Sequence, residues 1–122
     1  MYPISVLAFG RLRLEPCQKL QEHYLGMLRA YARMEVVELP EGKGDPARQL
    51  RDEAERLRPR LAAARCPVLL TPEGRQRSSE DLAQWLVGRM NRGESLAFAL
   101  GSSHGFDPAL KKEVSEQLSL SS

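Results

Sequence analysis

Pro67-Val68-Leu69-Leu70 and Ser95-Leu96-Ala97-Phe98-Ala99-Leu100 are two strand-sized apolar runs, and between them Leu82, Trp85, Leu86 and Met90 recur at helical spacing. A strand, an amphipathic helix and a second strand in that order read as a crossover joining parallel strands, because an antiparallel pair needs only a short hairpin. The helix has its own start and stop signals. Ser78-Ser79-Glu80-Asp81 places a serine cap ahead of acidic residues, and Asn91-Arg92-Gly93 ends the helix with a glycine suited to the left-handed position.

The same alternation extends toward both ends. Ile4-Ser5-Val6-Leu7-Ala8-Phe9 reads as a buried first strand closed by Gly10. Leu20, Tyr24, Met27, Leu28 and Tyr31 fall on one helical face, and Met34 to Leu39 reads as a second strand stopped by Pro40. After the loop Glu41-Gly42-Lys43-Gly44, Asp45 supplies an N-cap and Pro46 a first helical residue for a helix with the stripe Leu50, Ala54, Leu57 and Leu61. Pro59 removes the hydrogen bond to the carbonyl of residue 55, so a kink or break is expected there. Toward the C-terminus, Thr71 to Arg77 reads as a polar loop, Asp107-Pro108 caps a last short helix, and Leu118-Ser119-Leu120 is a candidate fifth strand. The pattern predicts one α/β domain over residues 1–122, with a mainly parallel sheet covered by helices on both faces.

Composition narrows the function classes. Cys17 and Cys66 are too few and too far apart for a disulfide framework or a zinc site, and Cys66 opens an apolar run as a small hydrophobe would. No apolar stretch is long enough to cross a bilayer, and Met1-Tyr2-Pro3 lacks the basic and apolar regions of a secretory signal, so a cytoplasmic protein without membrane or metal partners is expected. Eighteen basic against sixteen acidic residues give a net charge of +2, a mixed surface that permits contact with RNA without arguing for it.

In open parallel sheets ligands bind outside the carboxyl ends of the strands. That rule selects the loop after Phe9, the loop from Thr71 to Arg77, and Gly101-Ser102-Ser103-His104-Gly105. Two glycines four residues apart let backbone approach a ligand, and the two serines add hydroxyls without bulk; equally, a strand-to-helix turn simply needs glycine. The loop is neither a Walker loop, for want of a following Lys-Ser/Thr, nor a dinucleotide fingerprint, whose glycine order differs. His104 is a candidate general base by residue type, but His23 is the only other histidine and no serine elbow or placed cysteine makes a triad, so His104 reads as a solvated loop histidine and no catalytic residue is assigned. If the first two loops meet at one edge, Arg11, Arg13, Arg75 and Arg77 converge on a face suited to phosphate; scattered surface arginines are the alternative.

Taken in order, the apolar N-terminal strand, Glu38-Leu39-Pro40-Glu41-Gly42-Lys43-Gly44, Leu70 and Gly74 with Ser79-Glu80-Asp81-Leu82-Ala83, Phe98-Ala99-Leu100-Gly101-Ser102-Ser103-His104-Gly105 and Glu116-Gln117-Leu118-Ser119-Leu120-Ser121 resemble the RlmH (YbeA) family of SPOUT methyltransferases. The resemblance is collinear over essentially the whole chain. It implies the α/β-knot fold and an S-adenosylmethionine-dependent homodimer that methylates N3 of a pseudouridine in large-subunit ribosomal RNA on the ribosome. Carried over by motif, the cofactor segments are Leu70 with Thr71, then Gly101, Ser102 and Gly105, then the stretch beginning Leu120-Ser121-Ser122. The arginines Arg11, Arg13, Arg75 and Arg77 would face the RNA.

The chain departs from the family pattern in three places. Thr71 stands where an acidic residue is usual, and Gly101-Ser102-Ser103-His104-Gly105 stands where a Gly-Gly pair and an acidic residue are usual. Family chains also continue past the Leu-Ser-Leu-Ser stretch into the segment that threads the knot and forms the third cofactor loop. The resemblance therefore implies a SPOUT-like domain lacking the knot segment, weak binding of S-adenosylmethionine, and self-association through apolar surface at Leu96, Phe98, Leu100, Leu118 and Leu120. The alternative to an enzyme is a shortened, non-catalytic relative that binds RNA or serves as a dimeric structural protein.

Overall fold

A computed structural model of the chain describes residues 2–9, 32–101 and 104–119. Five strands and three helices follow in the order β1 (Tyr2–Phe9), β2 (Ala32–Leu39), α1 (Pro46–Ala62), β3 (Cys66–Gln76), α2 (Ser79–Asn91), β4 (Leu96–Leu100), α3 (Pro108–Glu113) and β5 (Glu116–Ser119). The helix predicted over Leu20 to Tyr31 lies outside the described residues. The strands form a single sheet in the order β2-β1-β4-β3-β5, and every pairing is parallel.

The two faces of the sheet follow from the period of two along each strand. Ile4, Val6 and Ala8 of β1 share one face with Val68 and Leu70 of β3 and with Leu96, Phe98 and Leu100 of β4, and Leu82 and Leu86 of α2 close over them. Leu7, Phe9, Leu69, Ala97 and Ala99 point to the other face, where Ala54, Leu57 and Leu61 of α1 and Leu110 of α3 cover them. Helices therefore lie on both faces, as the alternation predicted. β4 has a strand on each side and helices above and below, so all five of its residues are buried.

Caps stand where the sequence placed them. The Asp45 carboxylate accepts from the Arg48 N–H at 2.9 Å, Ser78 Oγ accepts from the Asp81 N–H at 3.0 Å, and Asp107 accepts from the Ala109 N–H at 3.1 Å. Gly93, at φ 71°, follows the end of α2.

Three expectations are corrected. Of the kink or break expected at Pro59, the break does not occur, since α1 runs on to Ala62: Leu57 and Leu61, on either side of the proline, are both buried against the sheet, and packing holds the turn that lost its hydrogen bond. The polar stretch from Thr71 is not a simple loop, because β3 continues to Gln76. Leu118 of β5 pairs with both Leu70 and Arg75, so residues 71–74 leave the ladder and return to it as a bulge. Lastly, Leu96, Phe98, Leu100 and Leu118 offer no apolar surface to a second molecule, being 2%, 0%, 3% and 2% exposed within their own chain. They lie under α2, while α3 covers the opposite face. The fifth strand occupies Glu116–Ser119, and Leu120 lies outside the described residues.

Candidate functional site

The sheet register brings three strand ends together. Leu70 of β3 pairs with Leu100 of β4 on one side and with Leu118 of β5 on the other. The bulge after Leu70, the glycine loop after Leu100 and the chain leaving Ser119 therefore start from neighbouring positions on the carboxyl edge, where a parallel sheet binds ligands. Of the residues singled out in the sequence, Leu70, Thr71, Gly101 and Gly105 are placed at this edge. Arg11, Arg13, Ser102, Leu120, Ser121 and Ser122 lie outside the described residues.

Leu70 and Thr71 are buried, at 8% and 6% exposure, and the bulge beyond them is held from three sides. Thr71 Oγ1 donates to Glu73 Oε2, and Lys111 Nζ of α3 donates to Glu73 Oε1 at 3.3 Å. At Gly74 a β-carbon would lie 2.6 Å from the backbone N and C of Leu118, so only a residue without one lets the bulge close against β5. The Thr71 hydroxyl, the backbone and Lys111 hold the Glu73 carboxyl below its ordinary pKa, with the Thr71 hydrogen bond the leading cause.

The two glycines of the loop lie against each other. The carbonyl of Gly105 would sit 2.9 Å from a β-carbon at Gly101, which keeps that position small. Gly105 itself has φ 81°, a conformation side chains rarely adopt, and space beside it is open. His104 is exposed, in keeping with a solvated loop histidine. The loop ends at Phe106, which packs with Phe9 and Leu110 on the α1 side.

The arginines that the sequence paired have different surroundings. Arg75 is exposed. The Arg77 side chain is only 12% exposed; its Nη1 donates to Asp81 at 3.1 Å, and its guanidinium lies 5.4 Å from the centre of the Trp85 ring. Arg89, paired with Glu94 at 3.0 Å, lies 5.2 Å from the same ring.

Several residues escaped the sequence reading. Glu53, 2% exposed, accepts the Gly42 N–H at 3.0 Å and the Gln49 amide at 3.1 Å, tying the Glu41–Gly44 loop to α1. Its only signal was a carboxylate in the heart of an apolar stripe, between Leu50 and Leu57. Glu73 and Lys111 are 38 residues apart, and nothing local announces their pairing. A groove of about 290 Å³ lies at the other end of the strands, among Pro3, Ser5, Leu7, Val37, Arg60 and Ala97, a place the carboxyl-edge rule does not select. Cys66 is buried, and burial pushes its thiol pKa up, so it behaves as a small apolar residue. Among the described residues no group of three or more His, Cys, Asp or Glu side chains is arranged to hold a metal ion, and no helix is long and apolar enough to cross a membrane.

Comparison with known proteins gives a single answer. The family described as "Predicted SPOUT methyltransferase" matches residues 2–122. The chain is 34% identical over 119 residues to the ribosomal RNA large subunit methyltransferase H of Gloeobacter violaceus, covering 97% of this chain and 78% of that protein. It is 33% identical over 120 residues to the protein of the same name from Geotalea uraniireducens, covering 97% of this chain and 78% of the relative. For the Symbiobacterium thermophilum protein, again of that name, identity is 33% over 127 residues, with 96% and 79% covered. A match along nearly the whole chain, a five-stranded parallel sheet and strand ends gathered at one edge agree: this chain belongs to the SPOUT methyltransferase family.

Proposed function

We propose that this chain is a cytoplasmic large-subunit ribosomal RNA methyltransferase that transfers a methyl group from S-adenosylmethionine to N3 of a pseudouridine and works as a homodimer of single-domain subunits. The observation that carries the reading is the collinear likeness to proteins named ribosomal RNA large subunit methyltransferase H over nearly the whole chain. The carboxyl edge fits the cofactor class. Gly105 leaves backbone open to a ligand, with nothing within 4 Å of where a side chain would begin, and Leu70 and Thr71 are buried at the same carboxyl edge.

In this reading Leu70, Thr71, Gly101 and Gly105 hold the cofactor together with Ser102 and with Leu120, Ser121 and Ser122, where the third cofactor segment begins. Bound S-adenosylmethionine supplies an electrophilic methyl group on a sulfonium. The chain's own contribution is positional: backbone and small side chains fix one reactant while the RNA-binding face fixes the other, and alignment of two reactants is by itself a large rate factor. Arg75, exposed at the end of β3, takes the phosphate contact together with Arg11 and Arg13. Arg77 is held inward by Asp81 and Trp85 and joins them only by turning out of that packing.

The test is methyl transfer itself. Purified protein, labelled S-adenosylmethionine and ribosomes lacking the modification should give label at a single pseudouridine of the large-subunit RNA. RNA binding without incorporation at saturating cofactor would instead select the non-catalytic relative. Sedimentation at micromolar concentration tests the homodimer.

A further inference from the structure

The bulge at the end of β3 contains an exposed carboxylate held by two donors. Residues 71–74 leave the sheet at the edge where β4, β3 and β5 end, and Gly74 against the backbone of Leu118 already fixes the return. Glu73 nevertheless is held in one orientation, by the Thr71 hydroxyl on Oε2 and by Lys111 on Oε1 at 3.3 Å, while its side chain stays 66% exposed. Salt bridges this exposed contribute little to stability. An exposed carboxylate fixed by two donors is instead a prepared hydrogen-bond acceptor, its ordering cost met before a ligand arrives.

The neighbours say which ligand. Thr71 is two residues away in the wall of the proposed cofactor site, and Lys111 lies on α3, the helix entered directly from the Gly101–Gly105 loop through the Asp107 cap. Glu73 thus ties the first cofactor segment to α3, the helix that follows the second. In nucleotide-binding α/β sheets, an acidic side chain at the carboxyl edge accepts hydrogen bonds from ribose hydroxyls. We infer that Glu73 is a specificity-determining residue of this chain, accepting a hydrogen bond from the ribose 2′-hydroxyl of the adenosyl cofactor. Thr71 and Lys111 are then positioning residues that aim the carboxylate. The inference rests on the proposed cofactor site.

The experiment is a binding comparison that does not involve turnover. S-adenosylhomocysteine and its 2′-deoxyribose analogue are titrated into the protein by calorimetry, up to millimolar concentration, for the wild type, Glu73→Gln and Lys111→Gln. The wild type should prefer the ribose form by about tenfold, the size of a hydrogen bond to a charged acceptor. Glu73→Gln should bring the two affinities to within about twofold, reflecting the lost charge-assisted bond. Lys111→Gln, which keeps the carboxylate but loosens its aim, should narrow the preference without abolishing it. A merely structural role for Glu73 would lower both affinities equally and leave their ratio unchanged, and that result overturns the assignment. Equal affinity for the two ligands in the wild type overturns it as well. Absence of any binding by the wild type removes the cofactor site and this inference together, whereas ribose-independent binding leaves the site standing and removes only Glu73.

Discussion

β4 and the far end of β3 are neighbours in one sheet, yet they are built on different physics. Leu96–Leu100 is buried at every residue, with Phe98 facing α2 between Val6 and Val68 and with Ala97 and Ala99 facing α1. Its side chains alternate between two cores, and large and small residues fall where each core has room. The stretch 71–76 is mostly exposed and contains a proline, a glycine and four polar or charged residues. What makes it strand is Leu118, Ser119, Lys111 and the missing β-carbon of Gly74. One segment is specified by its own composition, the other by partners far away in the chain. The edge proposed to hold the cofactor is assembled from the second kind, where backbone is free to serve something other than the core.

Breaking the first region should cost most. Phe98→Ala removes a fully buried ring packed against residues of three strands and α2, and should lower unfolding free energy by about 3–5 kcal/mol. Urea denaturation measures it, and a loss below 1 kcal/mol would mean that β4 is not the centre of the core.

Breaking the second should cost less and act locally. Gly74→Ala puts a methyl group against the Leu118 backbone and should destabilise by about 1–3 kcal/mol, with backbone displacement as the cause. Amide exchange should then accelerate in Glu116–Ser119 more than in β1 or β4. Uniform acceleration across the sheet would show that the bulge and the core are one cooperative unit.

The smallest effect sharpens the comparison through pH. Glu73 has a lowered folded-state pKa, so whatever stability it contributes is present above the unfolded carboxylate value of about 4.3 and is lost as pH falls through the lower folded value. NMR titration of the Glu73 carboxyl should place its midpoint below those of unpaired glutamates. Lys111→Met should move it back upward, since one of the groups favouring the charged form is gone. A midpoint unchanged in Lys111→Met would mean that Thr71 and the backbone account for the shift alone.

Periodicity and caps were legible without coordinates because they are local. Apolar runs of four to six residues, stripes at helical spacing, Asp45, Ser78 and Asp107 as caps and Gly93 as a terminator report conditions met within a few residues, and these named the strands and helices and implied parallel pairing. The glycine loop and Leu70 were also visible, through motif order. Three matters depended on contacts absent from the local sequence. Pro59 stays inside α1 because the sheet holds Leu57 and Leu61 on both sides of it. The polar tail of β3 becomes strand because β5, more than 40 residues on, supplies its ladder. Arg75 and Arg77 part company because Asp81 in the first turn of α2 and Trp85 in the second draw only Arg77 inward. Burial and pairing are set by whatever occupies the neighbouring space, so the order of strands β2-β1-β4-β3-β5 and the partners it supplies had to exist before those residues could be placed.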